Sequence, residues 1–346
     1  MRTKSSSRNS FDEIRFFLAF IVVMAHTQAL VNHDSLYWLT KHFDSDFAVK
    51  GFFAISGYLV TKSFYTSNST KDFFEKRARR ILPAYILVIL YCFLIGLLTT
   101  SIPTLDFLKT GETWKYFLSN LAFLNFVQPS LPGVFTSNEI QAMNGSLWTI
   151  KVEVMLYFLV PMIVFFYTKI GANFTFVIAF SIGLIWYTVF SYFVDHRLSD
   201  VLARQFIGQL PYFALGSFLT FFDLKRKSFI YLGMISLLYL FTKKFIPGHI
   251  SEYLNMLFYP LLVLTLANTN YLNLGIGKFG DLSFGIYLFH FPTIQLLVHL
   301  GLYDLNPYIG LLISVGLTLS LAAFSWNYVE KKFLKRSSHY IEAAKQ

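Results

Sequence analysis

Ten long apolar segments, separated by short polar ones, follow one another along almost the whole chain. A helix of about 20 residues crosses the roughly 30 Å hydrocarbon core of a bilayer. The pattern therefore predicts an all-α polytopic membrane protein, a bundle of about ten transmembrane helices. The predicted spans are 14–31, 47–64, 82–101, 147–168, 173–194, 205–222, 229–246, 252–268, 280–300 and 307–328. The weakest is 47–64, which carries Lys50 and Lys62, and the short 252–268 is also weak.

Composition strengthens this prediction. Only 14% of the 346 residues are charged, 55% are hydrophobic and 40 are phenylalanine, whereas soluble domains carry about 25% charged residues. We therefore predict one transmembrane domain over residues 1–346, ending in a short basic tail after residue 333. The single cysteine, Cys92, excludes a disulfide framework or a cysteine metal site within one chain, and we expect no metal cofactor.

The net charge of +10 is distributed between the predicted spans rather than along one stripe, which argues against a nucleic-acid partner. Cytoplasmic loops of membrane proteins are enriched in Lys and Arg. With the N-terminus in the cytoplasm, 20 of the 29 basic residues fall on the cytoplasmic side. An even number of spans then returns the basic C-terminus to the cytoplasm. The nine on the other side are Lys41, Lys50, Lys109, Lys115, Lys151, Arg197, Arg204, Lys243 and Lys244.

The first apolar segment contains Arg15 and His26, eleven residues apart. On a helix this spacing is about three turns, so both side chains lie on one face, roughly 16 Å apart along the axis. A central arginine costs ~2.5–3.5 kcal/mol on insertion, and histidine exchanges a proton near neutral pH. The pair indicates chemistry or transport; the alternative is a snorkelling arginine and a histidine that packs against another helix.

Four further polar groups interrupt the apolar background. Gly51 to Tyr58, with Ser56, permits close helix packing or a bend around a ligand. Arg77, Arg79 and Arg80 offer guanidinium forks for phosphate, or anchor the chain to anionic lipid.

The third group contains a carboxylate, Glu153, and the fourth contains an imidazole, His290. Glu153 lies about two turns inside a predicted span, where it could orient an imidazole, accept a proton or pair with an arginine. Ser283, Tyr287 and His290 are spaced by four and three residues, so they share one helix face. A structural hydrogen bond for His290 is as consistent with this spacing as catalysis.

Taken in this order, these stretches resemble the acyltransferase-3 family of membrane-bound O-acyltransferases, of the cell-surface polysaccharide O-acetyltransferase type. The likeness covers almost the whole chain. Departures at Phe16, Phe17, Val154 and Lys331–Phe333 leave the acceptor open. The matching residues are Asp12, Arg15 and His26; Gly51, Ser56 and Gly57; Arg77, Arg80 and Pro83; Ser146, Trp148 and Glu153; Ser283, Tyr287 and His290; and Tyr328 and Glu330.

The resemblance implies transfer of an acyl group, most often acetyl, from cytoplasmic acyl-CoA to a hydroxyl of a cell-surface or lipid-linked sugar. It implies a protein of the bacterial inner membrane whose partners are acyl-CoA, the sugar and lipid. His26 is then the catalytic base or is itself acylated, Glu153 orients or charge-stabilises it, and Arg15 contacts the CoA arm or the developing oxyanion. The donor site would contain Arg77, Arg79, Arg80, Ser56, Trp148 and Tyr287. Asp12, Ser146, Ser283 and His290 are further candidate site residues without an assigned role.

Two other classes remain as alternatives. A proton-coupled transporter also uses intramembrane His, Arg and Glu residues, although the two halves of the chain show no correspondence. A membrane scaffold leaves the buried polar groups unexplained.

Overall fold

The computed structural model describes residues 10–269 and 274–335, and within these ranges the chain is helical and forms no strand. The all-α prediction is confirmed. The basic residues Arg2, Lys4, Arg8, Arg336 and Lys345, which the orientation prediction uses, lie outside the described residues, as does most of the predicted tail.

The helices are α1 Phe11–Val31, α2 Tyr37–His42, α3 Ser45–Tyr65, α4 Thr70–Thr99, α5 Thr104–Lys109, α6 Gly111–Leu121, α7 Trp148–Ile170, α8 Ala172–Thr188, α9 Ser199–Ala203, α10 Phe206–Phe218, α11 Lys227–Thr242, α12 Gly248–Asn268, α13 Leu282–His299, α14 Leu302–Leu305, α15 Pro307–Phe324 and α16 Lys331–Phe333.

Seven helices of the described ranges are long and apolar enough to cross a membrane: α1, α4, α7, α8, α12, α13 and α15, some with their flanking turns. The count of ten spans is not confirmed. The segments that differ are α3, α10 and α11. α3 has 21 residues but carries charges at Asp46, Lys50 and Lys62. α10 has 13 residues and α11 has 16, which at 1.5 Å per residue is about 20 and 24 Å.

Large apolar side chains are exposed on the long helices. Phe174 and Ile185 on α8 are 70% and 61% exposed, and Leu312 on α15 is 72% exposed. Apolar patches of this kind are rare on soluble monomers, and in a bilayer they are solvated by lipid. Together with the seven apolar helices, they describe an integral membrane protein.

Two segments between the predicted spans have structure of their own. The basic stretch 71–80 is the beginning of α4, which continues through Pro83 without ending. The segment 102–146 contains the short helices α5 and α6 and then irregular chain.

The described residues form two compact units. The first unit contains 10–15, 46–73, 152–269 and 274–277, and in it α10 packs against α8 and α12, and α11 against α12. The second contains 16–45, 74–151 and 278–335, and in it α13 packs against α15. The assignment of one domain to residues 1–346 stays a prediction.

Close packing between α3 and α10 explains Gly57 in the second apolar segment. A Cβ atom at Gly57 would overlap the carbonyl oxygen of Phe213, and one at Gly216 would overlap that of Ala54. Small residues allow helix backbones to approach in this way. α3 is uninterrupted through Gly57, so the packing interpretation of this segment is the one the structure supports, rather than a bend around a ligand.

Candidate functional site

Helix α1 carries the first two predicted site residues. It runs without interruption from Phe11 to Val31, so Arg15 and His26 lie eleven residues apart on one helix. Arg15 donates from Nη2 to Asp12 Oδ1 at 2.5 Å, and both side chains are 17% exposed. Asp12 lies in the first turn of the helix, where a negative charge interacts favourably with the helix dipole. The structure thus brings together the predicted Asp12 and Arg15.

A pair of histidines, His26 and His290, lies within the second unit. His26 Nδ1 is 2.8 Å from His290 Nε2, and the two rings stack with centroids 5.1 Å apart and planes 17° apart. Phe291 contacts His26 edge-on at 5.7 Å. His26 is partly exposed, whereas His290 is fully buried. Both histidines were predicted candidates, but their pairing was not.

His290 is itself fixed by its own helix. Its Nδ1 lies 3.2 Å from the carbonyl oxygen of Ile286, one turn earlier in α13. Tyr287 packs edge-on against the His290 ring at 5.8 Å, and its hydroxyl lies 2.7 Å from Thr149 Oγ1. The predicted Tyr287 and His290 therefore belong to one buried cluster.

The turn before α7 completes this cluster. Asn144 donates from Nδ2 to the carbonyl of Leu288 at 2.9 Å. Ser146 donates from Oγ to Asn144 Oδ1 at 2.6 Å, and the same oxygen accepts from the Ser146 backbone N–H. The predicted Ser146 thus supports Asn144, which sequence reasoning did not select although it caps the turn Gly145–Leu147. Trp148, the first residue of α7, is half-buried.

Glu153 has two hydrogen-bond donors within the first unit. Its Oε1 accepts from Ser56 Oγ at 3.0 Å and from Tyr157 Oη at 2.5 Å. This brings together the predicted Ser56 and Glu153. Tyr157 was missed, although its spacing of four residues from Glu153 places it on the same helix face.

Arg80 is held by two carboxylates of the second unit. Its Nη2 donates to Asp281 Oδ2 at 2.5 Å and its Nη1 to Glu330 Oε2 at 2.7 Å. Both carboxylate side chains are 1% exposed. Ser283 donates to the other oxygen of Asp281 at 2.5 Å. Sequence reasoning placed Arg80 with the phosphate-binding residues and did not anticipate this buried ion-pair network.

The other two arginines of the basic stretch have different surroundings. Arg79 is exposed, and it donates from Nε to Glu75 at 2.8 Å and from Nη1 to the carbonyl of Phe333 at 3.3 Å. Arg77 is partly exposed. The three side chains therefore do not form one uniform cluster: Arg80 belongs to a buried ion-pair network, Arg79 is exposed and Arg77 is intermediate.

Of these arrangements, the pair His26–His290 is the best suited to proton transfer. A partly exposed imidazole beside a buried partner can accept a proton from a bound hydroxyl group. No three His, Cys, Asp or Glu side chains lie together in a metal-binding arrangement within residues 10–269 and 274–335.

Comparison with known proteins gives a consistent assignment. Residues 8–326 match the acyltransferase-3 family, described as an acyltransferase domain. An O-acetyl transferase of Shigella phage Sf6 is 30% identical over 340 residues, which cover 95% of this chain and 97% of that protein. No solved structure matches the chain.

More distant relatives match over a similar length. Nodulation protein 10 of Rhizobium leguminosarum bv. viciae is 25% identical over 358 residues, 96% of this chain and 94% of that protein. The O-acetyltransferase OatA of Staphylococcus aureus is 22% identical over 364 residues, 94% of this chain and 57% of OatA. Because the family match covers nearly its whole length, the chain belongs to the acyltransferase-3 family and is an integral membrane acyltransferase.

Proposed function

We propose that the protein transfers an acetyl group from cytoplasmic acetyl-CoA to a hydroxyl of a cell-surface or lipid-linked sugar, with His26 as the base. The O-acetyl transferase relatives support the acetyl group and the oxygen acceptor. The observation that carries the proposal is His26, a partly exposed imidazole on an apolar helix, held at 2.8 Å by a second, buried imidazole. A well-placed base contributes roughly 10²–10⁴ in rate.

In the proposed reaction the sugar hydroxyl attacks the thioester carbonyl while His26 takes its proton. The tetrahedral intermediate then collapses: the carbon–sulfur bond breaks, the new ester remains on the sugar, and the proton passes from His26 to the CoA thiolate. Arg15 would contact the CoA arm or stabilise the developing oxyanion. Glu153 would supply negative charge that stabilises the imidazolium. No metal is required for these steps.

Donor binding falls to the basic residues at the start of α4. CoA is polyanionic, and guanidinium groups match phosphate oxygens bidentately. Arg80 already donates to two carboxylates, so we assign the phosphate contacts chiefly to Arg77 and Arg79. The remaining proposed donor-site residues are Ser56, Trp148 and Tyr287.

The predicted location supports this division of roles. We place the protein in a bacterial inner membrane with its N-terminus in the cytoplasm, so that the start of α4 would face the compartment that contains acyl-CoA. His26 lies more than halfway along α1, toward the side from which a surface sugar would arrive. A polar passage from the arginines to His26 follows from this assignment.

A proton-coupled transporter would use similar side chains, but the comparisons give it no support. One experiment separates the two functions. Purified protein in nanodiscs is mixed with [14C]acetyl-CoA and with membranes from cells that lack the protein, which supply the glycan. We expect base-labile label in the glycan and release of free CoA thiol. A transporter gives neither.

The same assay tests His26. His26→Ala should reduce transfer by roughly 10²–10⁴ while acetyl-CoA binding stays close to the unmodified level. His42→Ala, at an exposed histidine of α2, is the matched control and should transfer normally. Near-normal transfer by a folded His26→Ala protein would remove His26 from the mechanism, and His290 would become the next candidate.

A further inference from the structure

We propose that His290 determines which ring nitrogen of His26 carries the proton, and that it leaves His26 Nε2 as the only basic nitrogen of the pair. His290 is then a positioning residue, because it acts through His26. The consequence for catalysis rests on the proposed function, but the assignment of the protons rests on the hydrogen bonds alone.

The argument begins at the carbonyl of Ile286. A carbonyl oxygen can only accept a hydrogen bond, so His290 Nδ1, 3.2 Å away, must be the donor. A neutral imidazole has one N–H group and one acceptor nitrogen. His290 Nε2 is therefore an acceptor. Because this nitrogen lies 2.8 Å from His26 Nδ1, His26 must donate from Nδ1.

His26 Nε2 then has no proton. The opposite tautomer of His26 would put two lone pairs at hydrogen-bond distance, or would require His290 to turn its N–H away from Ile286. Since His290 is fully buried, the lost bond could not be replaced by water. Histidine in water favours the Nε2–H form, so this site would reverse the ordinary preference.

The surroundings of the two rings oppose a flip. The His26 and His290 rings stack at 5.1 Å, and Phe291 contacts both edge-on, at 5.7 Å from His26 and 6.4 Å from His290. Phe291 is itself held by the turn before α7, where a Cβ atom at Gly145 would lie 2.8 Å from its ring. The rotamers that define the hydrogen-bond chain are therefore packed in place.

The arrangement also suits the step after proton transfer. When His26 Nε2 takes the proton from the hydroxyl, the ring becomes an imidazolium, and its Nδ1–H still faces the lone pair of His290 Nε2. A neutral donor becomes a charged one without any movement of the pair, and charge-assisted hydrogen bonds are the stronger kind. The carbonyl of Ile286 and His290 thus orient the base as a carboxylate does in a serine-protease triad.

The proton assignment can be measured without donor or acceptor. Protein labelled with [15N]histidine in nanodiscs gives ring-nitrogen shifts that distinguish N–H from unprotonated nitrogen, and the His26 signals are identified by their loss in His26→Gln. We expect an N–H at Nδ1 and an unprotonated Nε2 in the neutral ring. A neutral His26 with its proton on Nε2 overturns the inference, whatever the activity.

Two substitutions at position 290 form a matched pair. The amide oxygen of His290→Gln can reach the position of Nε2 and accept from His26, whereas the shorter His290→Asn can replace only Nδ1. We expect Gln to keep the Nδ1–H form and transfer within about threefold of normal, and Asn to lose that form and more than about tenfold in kcat, with unchanged acetyl-CoA affinity. Equal activity and equal tautomers in the two variants contradict the inference.

Failure of the inference and failure of the proposed function give different results. If His26 is protonated on Nδ1 but His26→Ala still transfers acetyl, the proposed base is wrong and the proton assignment stands. If His26→Ala is inactive while the tautomer is Nε2–H, the base is right and His290 has no positioning role. Should a variant at position 290 not fold, the spectrum of the unmodified protein still decides.

Discussion

Arg80 and Glu330, 250 residues apart in the sequence, are joined by a 2.7 Å hydrogen bond between Nη1 and Oε2. Asp281 occupies the other terminal nitrogen of the same guanidinium at 2.5 Å. Phe284 and Trp326 lie over it, with ring centroids 5.2 and 5.7 Å from its central carbon. This enclosure ties the start of α4 to α13 and to the segment before α16, so we expect the main role of Arg80 to be structural.

The first prediction contrasts Arg80→Gln with Arg79→Gln. Removing Arg80 leaves two nearly inaccessible carboxylates without their cation, and breaking a buried pair costs about 3–5 kcal/mol of unfolding free energy. Arg79 and Glu75 are 45% and 42% exposed, so Arg79→Gln should cost less than about 1 kcal/mol. Denaturant unfolding of the purified variants measures both.

Acetyl-CoA binding should show the reverse order. Arg77→Gln and Arg79→Gln should weaken binding, more strongly at low salt, where screening of the CoA phosphates is least. If Arg80→Gln is as stable as the unmodified protein but binds acetyl-CoA poorly, Arg80 is a phosphate ligand. Unchanged affinity in the Arg77 and Arg79 variants would make these residues lipid anchors instead.

The second prediction concerns the contact between α3 and α10. Gly57→Ala and Gly216→Ala each place a methyl group on a backbone oxygen, which cannot move as a side chain can. Overpacking of this kind costs about 1–3 kcal/mol or more, so the melting temperature of each variant should fall. Gly316→Ala is the control, because nothing lies within 4 Å of its Cβ position. It should be neutral or stabilising, since alanine is the better helix former.

The third prediction separates the charge of Glu153 from its hydrogen bonds. Glu153→Gln keeps the shape but removes the charge that we propose stabilises the imidazolium, and transfer should fall by more than about tenfold. Tyr157→Phe keeps the charge but removes one donor. It should lower the unfolding free energy by about 1.5–3 kcal/mol and leave transfer within about threefold. If Glu153→Gln transfers normally, the carboxylate has only the structural role that Ser56 and Tyr157 define.

The fourth prediction concerns Lys50, a lysine of the first unit that is 7% exposed by side chain. It pairs with Asp46 at 2.5 Å and Glu252 at 3.1 Å, which are 56% and 35% exposed. Lys50→Met leaves carboxylates that water can reach, so the loss should be about 1 kcal/mol. The double variant Asp46→Asn with Glu252→Gln leaves a buried ammonium without a counter-charge and should cost about 3–5 kcal/mol. Equal losses would contradict this asymmetry.

How far the sequence predicts the contacts of the site depends on how many residues separate the two partners along the chain. The apolar pattern located α13 well: the span 280–300 was expected and the helix is Leu282–His299. Local pairs such as Asp12–Arg15 follow from helical spacing, and Tyr157 could have been found in the same way. The pair His26–His290 could not have been predicted from spacing, because the pairing of residues on distant segments depends on how the helices pack.

The number of spans was harder to predict for a different reason. A hydropathy pattern shows the length of an apolar segment but not where its helix ends. α10 ends after 13 residues and is followed by a short 3-10 helix, Leu219–Phe221. Whether such a helix crosses depends on the local bilayer and on neighbouring helices. The predicted topology, with ten spans and both termini in the cytoplasm, therefore needs a direct measurement.

The fifth prediction supplies that measurement, with single cysteines placed in four exposed positions. Asn68 lies between α3 and α4, Asp195 between α8 and α9, Asp223 between α10 and α11, and Lys244 between α11 and α12. If α3, α10 and α11 all cross, residues 195 and 244 are outside and residues 68 and 223 are cytoplasmic. An impermeant thiol reagent added to intact cells should then label residues 195 and 244 and leave residues 68 and 223 unlabelled.

The native cysteine does not obscure this labelling, because Cys92 is fully buried and the unmodified protein serves as the blank. α10 and α11 are each tested by the pair of positions that flank them, and α3 is tested by residue 68, which is cytoplasmic only if α3 crosses. Residues 195 and 223 lie on either side of α10, so labelling of both from outside means that α10 does not cross. Residues 223 and 244 test α11 in the same way. Because each crossing that is lost changes the parity of the chain, a fifth reporter at residue 340 gives an independent check. Labelling of residue 340 from outside requires an odd number of spans or a reversed orientation, and either result overturns the predicted topology.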